Sequence, residues 1–368
     1  MRFVFAGDVH VGERISQNLQ DAGFLLAQGV EEADVVLTYS VTQSALEDMY
    51  FETNGILQLA REGACFIDLS PSTPTFAREL YALAQTSNCQ SMDAPLVVRD
   101  LTNHDAYGDK SCLSVLVGAE EVAFNQFGAV LDALAGSVFY VGEPGAGQIA
   151  KATQTIQLAA SLLGVMEAAT LNKASNADAT EAIHLAVQMG LAAPAVEGVY
   201  KCIVDEHFHG TYTAQALAAE LAAALLCAEE TDQILPQAEA AVNLIELFLV
   251  VGGSDLAVPA LSLVYREEED TKRFGLDWSR AQGMYDGDGC GCGDDDCDCG
   301  DDECECGHDP HDPNHECCGK HDHHHHGHNY HEDDDYDPYE DEYPSRGEID
   351  FTNADERYVG GFGGYSAN

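Results

Sequence analysis

The chain has 368 residues, and 16 Lys+Arg against 64 Asp+Glu leave it a formal charge of −48. From residue 286 onward there are 26 acids and 3 bases, so the last part carries −23 and the body the remainder. A body this acidic is repelled by phosphate backbones and anionic lipid, which argues against nucleic-acid and membrane-surface partners, and no apolar run approaches the ~20 residues of a membrane span.

The first residues, MRFVFAGDVHVGERI, have no basic segment followed by a long apolar run, so no signal peptide is expected and a cytoplasmic protein is the default reading. Residues 1–6 (MRFVFA) read as a strand, followed by the glycine turn 7–12 and a helix over 13–22 with Ile15 and Leu19 on one face. Strand, glycine turn and helix form the context of a dinucleotide fingerprint, in which glycines admit a pyrophosphate and the helix N-terminus favours its charge. Gly7 and Gly12 take the first and third glycine places, and Val9 takes the second, with His10 and Val11 completing the turn. A β-branched side chain at Val9 crowds the phosphate; the plain alternative is an ordinary strand-to-helix turn.

A short bridge over 24–32 leads to a strand at 33–40, a helical stretch at 41–59 and a strand at 64–69. The turn 70–74 (SPSTP) is expected to cap a helix over 75–84. Further strands are expected at 89–95, 113–117 and 138–141, with a helix over 121–134. Such alternation predicts a mostly parallel α/β sheet, with ligands beyond the carboxyl ends of its strands, at 7–12, 40–42, 70–74 and 93–99. From residue 146 a long helix to about 171 begins an all-helical series running to about 280, broken at glycines and prolines, which buries a core or a dimer interface. The joint is 141–155, VGEPGAGQIAKATQT, where Lys151 is placed to face an interdomain cleft as a catalytic cation, or to lie solvated near a helix start.

The segments 7–23, 33–57, 68–80 (DLSPSTPTFAREL), 92–98 (MDAPLVV) and 141–155 together resemble the β-hydroxyacid dehydrogenases, the family of 3-hydroxyisobutyrate dehydrogenase and its 6-phosphogluconate-dehydrogenase-like relatives. The resemblance implies a Rossmann-like domain over 1–141, an all-α domain over 142–285, NAD or NADP as cofactor, and oxidation of a small 3-hydroxy acid. It implies Lys151 as acid/base, cofactor contacts along Gly7, Val9, His10, Val11, Gly12, Ser40, Val41, Ser70 and Thr73, and substrate contacts at Asp93, Val97, Arg99 and Thr155. A homo-oligomer formed through the helical domain is expected.

Several positions depart from the family pattern. Val97-Val98-Arg99 replaces Ser-Gly-Gly, and Arg99 offers a cation where a small polar loop is usual. Thr155 stands for an asparagine, and a second Lys-Asp pair is replaced near Val242-Asn243. The bridge over 24–32 is too short for the second strand and helix of a βαβ unit, which takes ~30 residues. Glu31 and Glu32 lie where an NAD-selecting acid falls in the sequence, or form a solvated loop. The cofactor site is thereby weakened at the second glycine and at the ribose, and a catalytically degenerate scaffold is the alternative.

After residue 285 the composition changes to a seven-residue repeat, CGCGDDD, CDCGDDE, CECGHDP, followed by a His-rich run. None of it can bury a core, so disorder is expected over 286–368. Cys290, Cys292, Cys297, Cys299, Cys304 and Cys306, with His308, Cys317, Cys318, His323 and His325, offer paired thiols and imidazoles to transition-metal ions. Zn suits the thiols, and Ni or Cu suits the histidines.

Overall fold

The computed structural model describes residues 1–281. The tail 286–368, with its Cys/His cluster and the metal site expected there, lies outside the described residues.

The N-terminal half is built on one sheet. Strands β1 (Arg2–Gly7), β3 (Val35–Tyr39), β4 (Cys65–Asp68) and β5 (Gln90–Asp93) run parallel in that spatial order. Strand β3, VVLTY, is buried on both faces, as the middle of a helix-covered parallel sheet requires. One face packs under α1 (Val9–Asp21) through Val35, Leu37, Ile15 and Leu19. The other packs under α2 (Gln43–Phe51) and α4 (Pro74–Thr86), where the Tyr50 ring meets Phe66 edge-on at 5.8 Å. The helix expected over 41–59 is interrupted: α2 stops at Phe51, and α3 (Ile56–Leu59) restarts after Gly55, whose missing Cβ would come within 2.7 Å of the Tyr50 carbonyl. Helix α4 begins where its turn predicted, with Thr73 as N-cap accepting from the Phe76 amide and Pro74 in the first turn.

One feature of the sheet is as expected, the shortened second β-α unit, and one differs. The bridge over 24–32 keeps a stub of the second strand: β2 (Leu25–Leu26) pairs parallel with Arg2 and Phe3 at the foot of β1, and a single 3-10 turn, Val30–Glu32, replaces the helix. Residues 96–98, expected as an open substrate loop, form β6 (Leu96–Val98), which runs antiparallel to β7 (Leu113–Gly118). On the far side of β7 lies β8 (Ser137–Gly142), in parallel, covered by α5 (Glu121–Leu134).

The second half is helical. Helix α6 (Ala146–Ala174) runs its 29 residues through the middle, packed by α8 (Ala195–Asp205), α9 (Ala214–Glu229) and α10 (Pro236–Phe248). Helix α7 (Thr180–Gln188) braces α8, and the apolar 3-10 segment Val258–Tyr265 closes the core beneath α6. No helix among the described residues is long and apolar enough to cross a membrane.

The joint between the halves is held at the N-terminus of α6. Asp93, at the end of β5, accepts from the Gly145 amide at 2.7 Å and the Gln148 amide at 3.0 Å, satisfying two of the helix's first donors. The approach is so close that a Cβ on Gly147 would lie 2.5 Å from the Leu116 carbonyl oxygen and 2.6 Å from Asp93 Oδ2. Gly147→Ala is therefore expected to destabilise the protein by about 3 kcal/mol through overpacking, measured as a lowered urea midpoint with the far-UV spectrum unchanged.

Candidate functional site

In an open α/β sheet a ligand crevice forms where the strand order reverses. Here that point lies between β1 and β3. The Asp8 amide donates to the Tyr39 carbonyl at 3.0 Å, and Gly7, at φ +117, lies so close that a Cβ would fall 2.0 Å from the same oxygen. Gly12 meets the need for close helix–strand packing, since its Cβ would strike the Phe5 ring at 2.6 Å. A cleft of about 310 Å³ opens there, lined by Asp8, His10, Val11 and Arg14 from α1, Tyr39 and Val41 after β3, Tyr107, and Thr211, Thr213 and Gln215 from the start of α9.

The glycine turn differs from its expected form. Helix α1 begins at Val9, inside the stretch expected as a turn, because Asp8 caps it: the Val11 amide donates to Asp8 Oδ1 at 2.8 Å. Val9, in the second glycine place, is 66% exposed. The backbone of this turn fits a pyrophosphate, with a helix N-terminus at a sheet crevice; the side chains of Asp8 and Val9 oppose one. At the adenosine end, β2 stops level with Phe3, four residues short of Gly7 and so about 13 Å below the crevice. Glu32 does not stand at a ribose site; it forms an exposed ion pair with Arg2 at 3.3 Å.

The turns at Ser40 and Ser70 are buried and hold one another. The Ser40 amide donates to Ser70 Oγ at 3.0 Å. Gln148, absent from the expected site, ties the second turn to α6: its Nε2 donates to the Ser70 carbonyl and its Oε1 accepts from the Ser72 amide, each at 3.0 Å. Among the expected cofactor residues, His10, Val11 and Val41 line the crevice, Gly7, Val9 and Gly12 belong to the adjoining strand end and helix start, and Ser40, Ser70 and Thr73 build the neighbouring turns.

The expected substrate residues are dispersed. Asp93 is 4% exposed and both its oxygens are taken by the α6 cap. Val97 pairs with Ser114 in the sheet, and Arg99 reaches Ser137 at the edge, away from the cleft lining. Thr155 is buried and donates to Glu220 Oε2 at 3.3 Å. Val97 and Arg99 stand apart because residues 96–98 continue as strand.

Lys151, expected at the cleft, lies behind its wall. It is 3% exposed, and its Nζ sits 2.7 Å from Glu220 Oε2, with Gln154 Oε1 accepting at 3.4 Å. Tyr212 donates to the same Glu220 oxygen at 2.8 Å. The Tyr107 ring packs edge-on against Tyr212 at 6.5 Å, and its hydroxyl meets that of Tyr39 at 3.3 Å. Burial pushes the Lys151 ammonium below its ordinary range, and the Glu220 charge pulls part of that back. Glu220 on α9 is the partner that sequence reasoning missed, because it stands as an acid within an otherwise apolar helical run. Burial lifts the phenols of Tyr39, Tyr107 and Tyr212 well above their ordinary value, so all three stay neutral donors. No cluster of His, Cys, Asp or Glu with metal-binding geometry occurs among the described residues.

The fold and the crevice define the class: a Rossmann-type domain closed by a helical domain, with a buried lysine at the joint. Residues 9–142 match the family described as the NAD binding domain of 6-phosphogluconate dehydrogenase. The chain is 33% identical over 138 residues to an uncharacterised oxidoreductase, YkwC, of Bacillus subtilis, covering 38% of this chain and 46% of that protein. It is thus aligned with about half the length of that relative. It is 24% identical over 282 residues to the NAD-dependent L-serine dehydrogenase of Pseudomonas aeruginosa, covering 68% of this chain and 93% of that one. The solved 3-hydroxyisobutyrate dehydrogenase of Mycobacterium tuberculosis, at 22% identity, shares the fold with a TM-score of 0.62 over 72% of this chain and 99% of its own.

Two expectations follow from the buried charges. Removing one partner of the Lys151–Glu220 pair strands the other, so Lys151→Met and Glu220→Leu each cost about 3–5 kcal/mol. The double variant recovers most of this, as a double-mutant cycle in urea would measure. The Asp93 carboxyl is raised by burial from its ordinary 3.8 to about 7, against the pull of its two amide donors. Between those values the folded state binds the proton that the unfolded state has lost, so this group's contribution to stability falls as pH rises from about 4 to 7. Asp93→Asn flattens that part of the stability–pH curve.

Proposed function

We propose that the chain is an NAD(P)-linked oxidoreductase acting on a small hydroxy acid, with Lys151 as the acid/base at the substrate hydroxyl. The observation that carries this reading is a buried lysine, with its ammonium destabilised by burial, at the start of the helix that joins a dinucleotide-type domain to a helical one. A lysine in that state exchanges its proton more readily than a solvated one. Gly7, Val9, His10, Val11 and Gly12 would hold the dinucleotide phosphates, with Val41 and the turns built by Ser40, Ser70 and Thr73 beside them; the bound cofactor supplies the hydride acceptor. Glu220 holds Lys151 Nζ in place and takes up charge when the lysine gains a proton. Tyr107 lines the cleft and packs on Tyr212, which holds Glu220, so the approach of a substrate hydroxyl to Lys151 runs past these rings.

Other features support finer parts of this reading. Leu171, Leu185, Met189 and Leu191, each more than half exposed on α6, α7 and the turn after it, suit a homo-oligomeric contact through the helical half. The five cysteines of the described residues are all free thiols, which suits a reducing cytoplasm. A second activity, transition-metal binding by the repeat that begins at Cys290, is favoured by its paired thiols and adjoining histidines. If it is present, the reduced full-length protein binds several equivalents of Zn, Ni or Cu that a variant lacking residues 289–331 does not.

The oxidoreductase reading is tested by titrating NADH and NADPH against the protein by nicotinamide fluorescence, then screening small 3-hydroxy acids for cofactor reduction. The expected result is binding in the micromolar to millimolar range, with turnover that Lys151→Ala lowers by about 10²- to 10⁴-fold. Full turnover by Lys151→Ala would leave the residue only a structural role.

A further inference from the structure

We propose that Asp8 is a built-in competitor for the dinucleotide phosphate at the N-terminus of α1, so that one side chain sets cofactor affinity low in this chain. The inference rests on the NAD(P) reading above.

The N-terminus of a helix attracts anions because its first amides lack partners and its dipole presents partial positive charge. In this chain an anion is already there. Asp8 Oδ1 takes the Val11 amide at 2.8 Å, and the rest of the residue is pinned, its own amide donating to the Tyr39 carbonyl at 3.0 Å and its carbonyl accepting from Gly12 at 2.9 Å. With the backbone fixed, the carboxylate leaves this position only by giving up its cap bond to the Val11 amide. Asp8 lines the cleft at the strand-order reversal, so the charge lies at the crevice itself.

Among the described residues that line the cleft, no unpaired Lys or Arg offsets it. The cation on the next turn of α1, Arg14, lines the same cleft, but its Nε is bound to Asp105 at 2.5 Å and its Nη1 to the His10 carbonyl at 3.0 Å. Asp255 adds a further acid to the lining. The adenosine end offers no compensation, because β2 ends at the level of Phe3. A cofactor bound here depends on its phosphate and nicotinamide contacts, and so is unusually sensitive to the group it meets at Asp8. Val9 adds bulk at the same turn, which makes the two causes separable: Asp8→Asn removes charge and keeps the cap, whereas Val9→Gly removes bulk and keeps the charge.

The test uses the full-length protein and nicotinamide fluorescence to measure dissociation constants for NADH and for reduced nicotinamide riboside, which has no phosphate. Asn and Ser cap helices about as well as Asp, so Asp8→Asn and Asp8→Ser keep the melting temperature. Both are expected to tighten NADH binding by about tenfold while leaving the riboside unchanged. NADH affinity equal to that of the native chain in both variants, or an equal gain for the riboside, overturns the inference and leaves the NAD(P) reading standing. Absence of NADH binding in the native chain and in every variant overturns that reading, and this inference with it.

Discussion

The two halves of the molecule meet through the carboxyl of Asp93 and the bare backbone of Gly147. Asp93 stands at the end of β5 and receives two amides from the first turn of α6, and the helix can come that near only where no Cβ intervenes. Helix α6 is in turn the post around which α8, α9 and α10 pack. A shift at this contact moves Gln148, and with it the turn at Ser70 that supports Ser40. The crevice, the buried lysine and the helical core are therefore all referred to one short stretch of backbone. Asp93 gives up solvent for this position, and its two amide partners only partly compensate, so its carboxyl ionises at about neutral pH.

A second buried charge sits two turns further along. An ion pair removed from water is a poor source of stability, since desolvation offsets much of the attraction. It is a good means of fixing one arrangement, and around Lys151 and Glu220 that arrangement includes Thr155, Tyr212 and, through ring contacts, Tyr107 and Tyr39. The tyrosines cannot ionise at ordinary pH and so present fixed dipoles to the cleft. The lysine lies buried beside this neutral aromatic group.

Much of this was legible in the sequence. Strand and helix order in the first half, the Thr73–Pro74 cap, the joint and Lys151 all follow from local patterns: apolar runs between turns, a capping residue before proline, glycines giving way to a helical period. What escaped depends on long-range partners. Glu220 lies 69 positions from Lys151 in the chain, and its apolar flanks mark only a buried helix face, not what that face meets. Asp8 was passed over because the glycine template directs attention to positions 7, 9 and 12, while its effect comes from the helix starting earlier than the template assumes. The family resemblance puts a substrate loop at Val97-Val98-Arg99, although Leu96-Val97-Val98 is strand-forming and pairs accordingly with β7.

The stub at Leu25–Leu26 has a consequence for how the sheet meets its surroundings. A sheet border with a long run of unsatisfied amides and carbonyls invites another chain to extend it. Losing most of the second βα unit leaves the upper part of β1 bordered only by solvent on its outer side, and Val4, Phe5 and Ala6 are half-buried where β3 is buried throughout. The border itself is two residues long and is flanked by the Arg2–Glu32 ion pair and by Asp34, which accepts from the Arg2 amide at 2.6 Å. Shortness and charge together limit the ladder a templating chain can build there, even though Leu25 and Leu26 are themselves exposed. The rim of the sheet thus ends in a border two residues long, with an ion pair and a capped amide at its foot in place of a full βα unit.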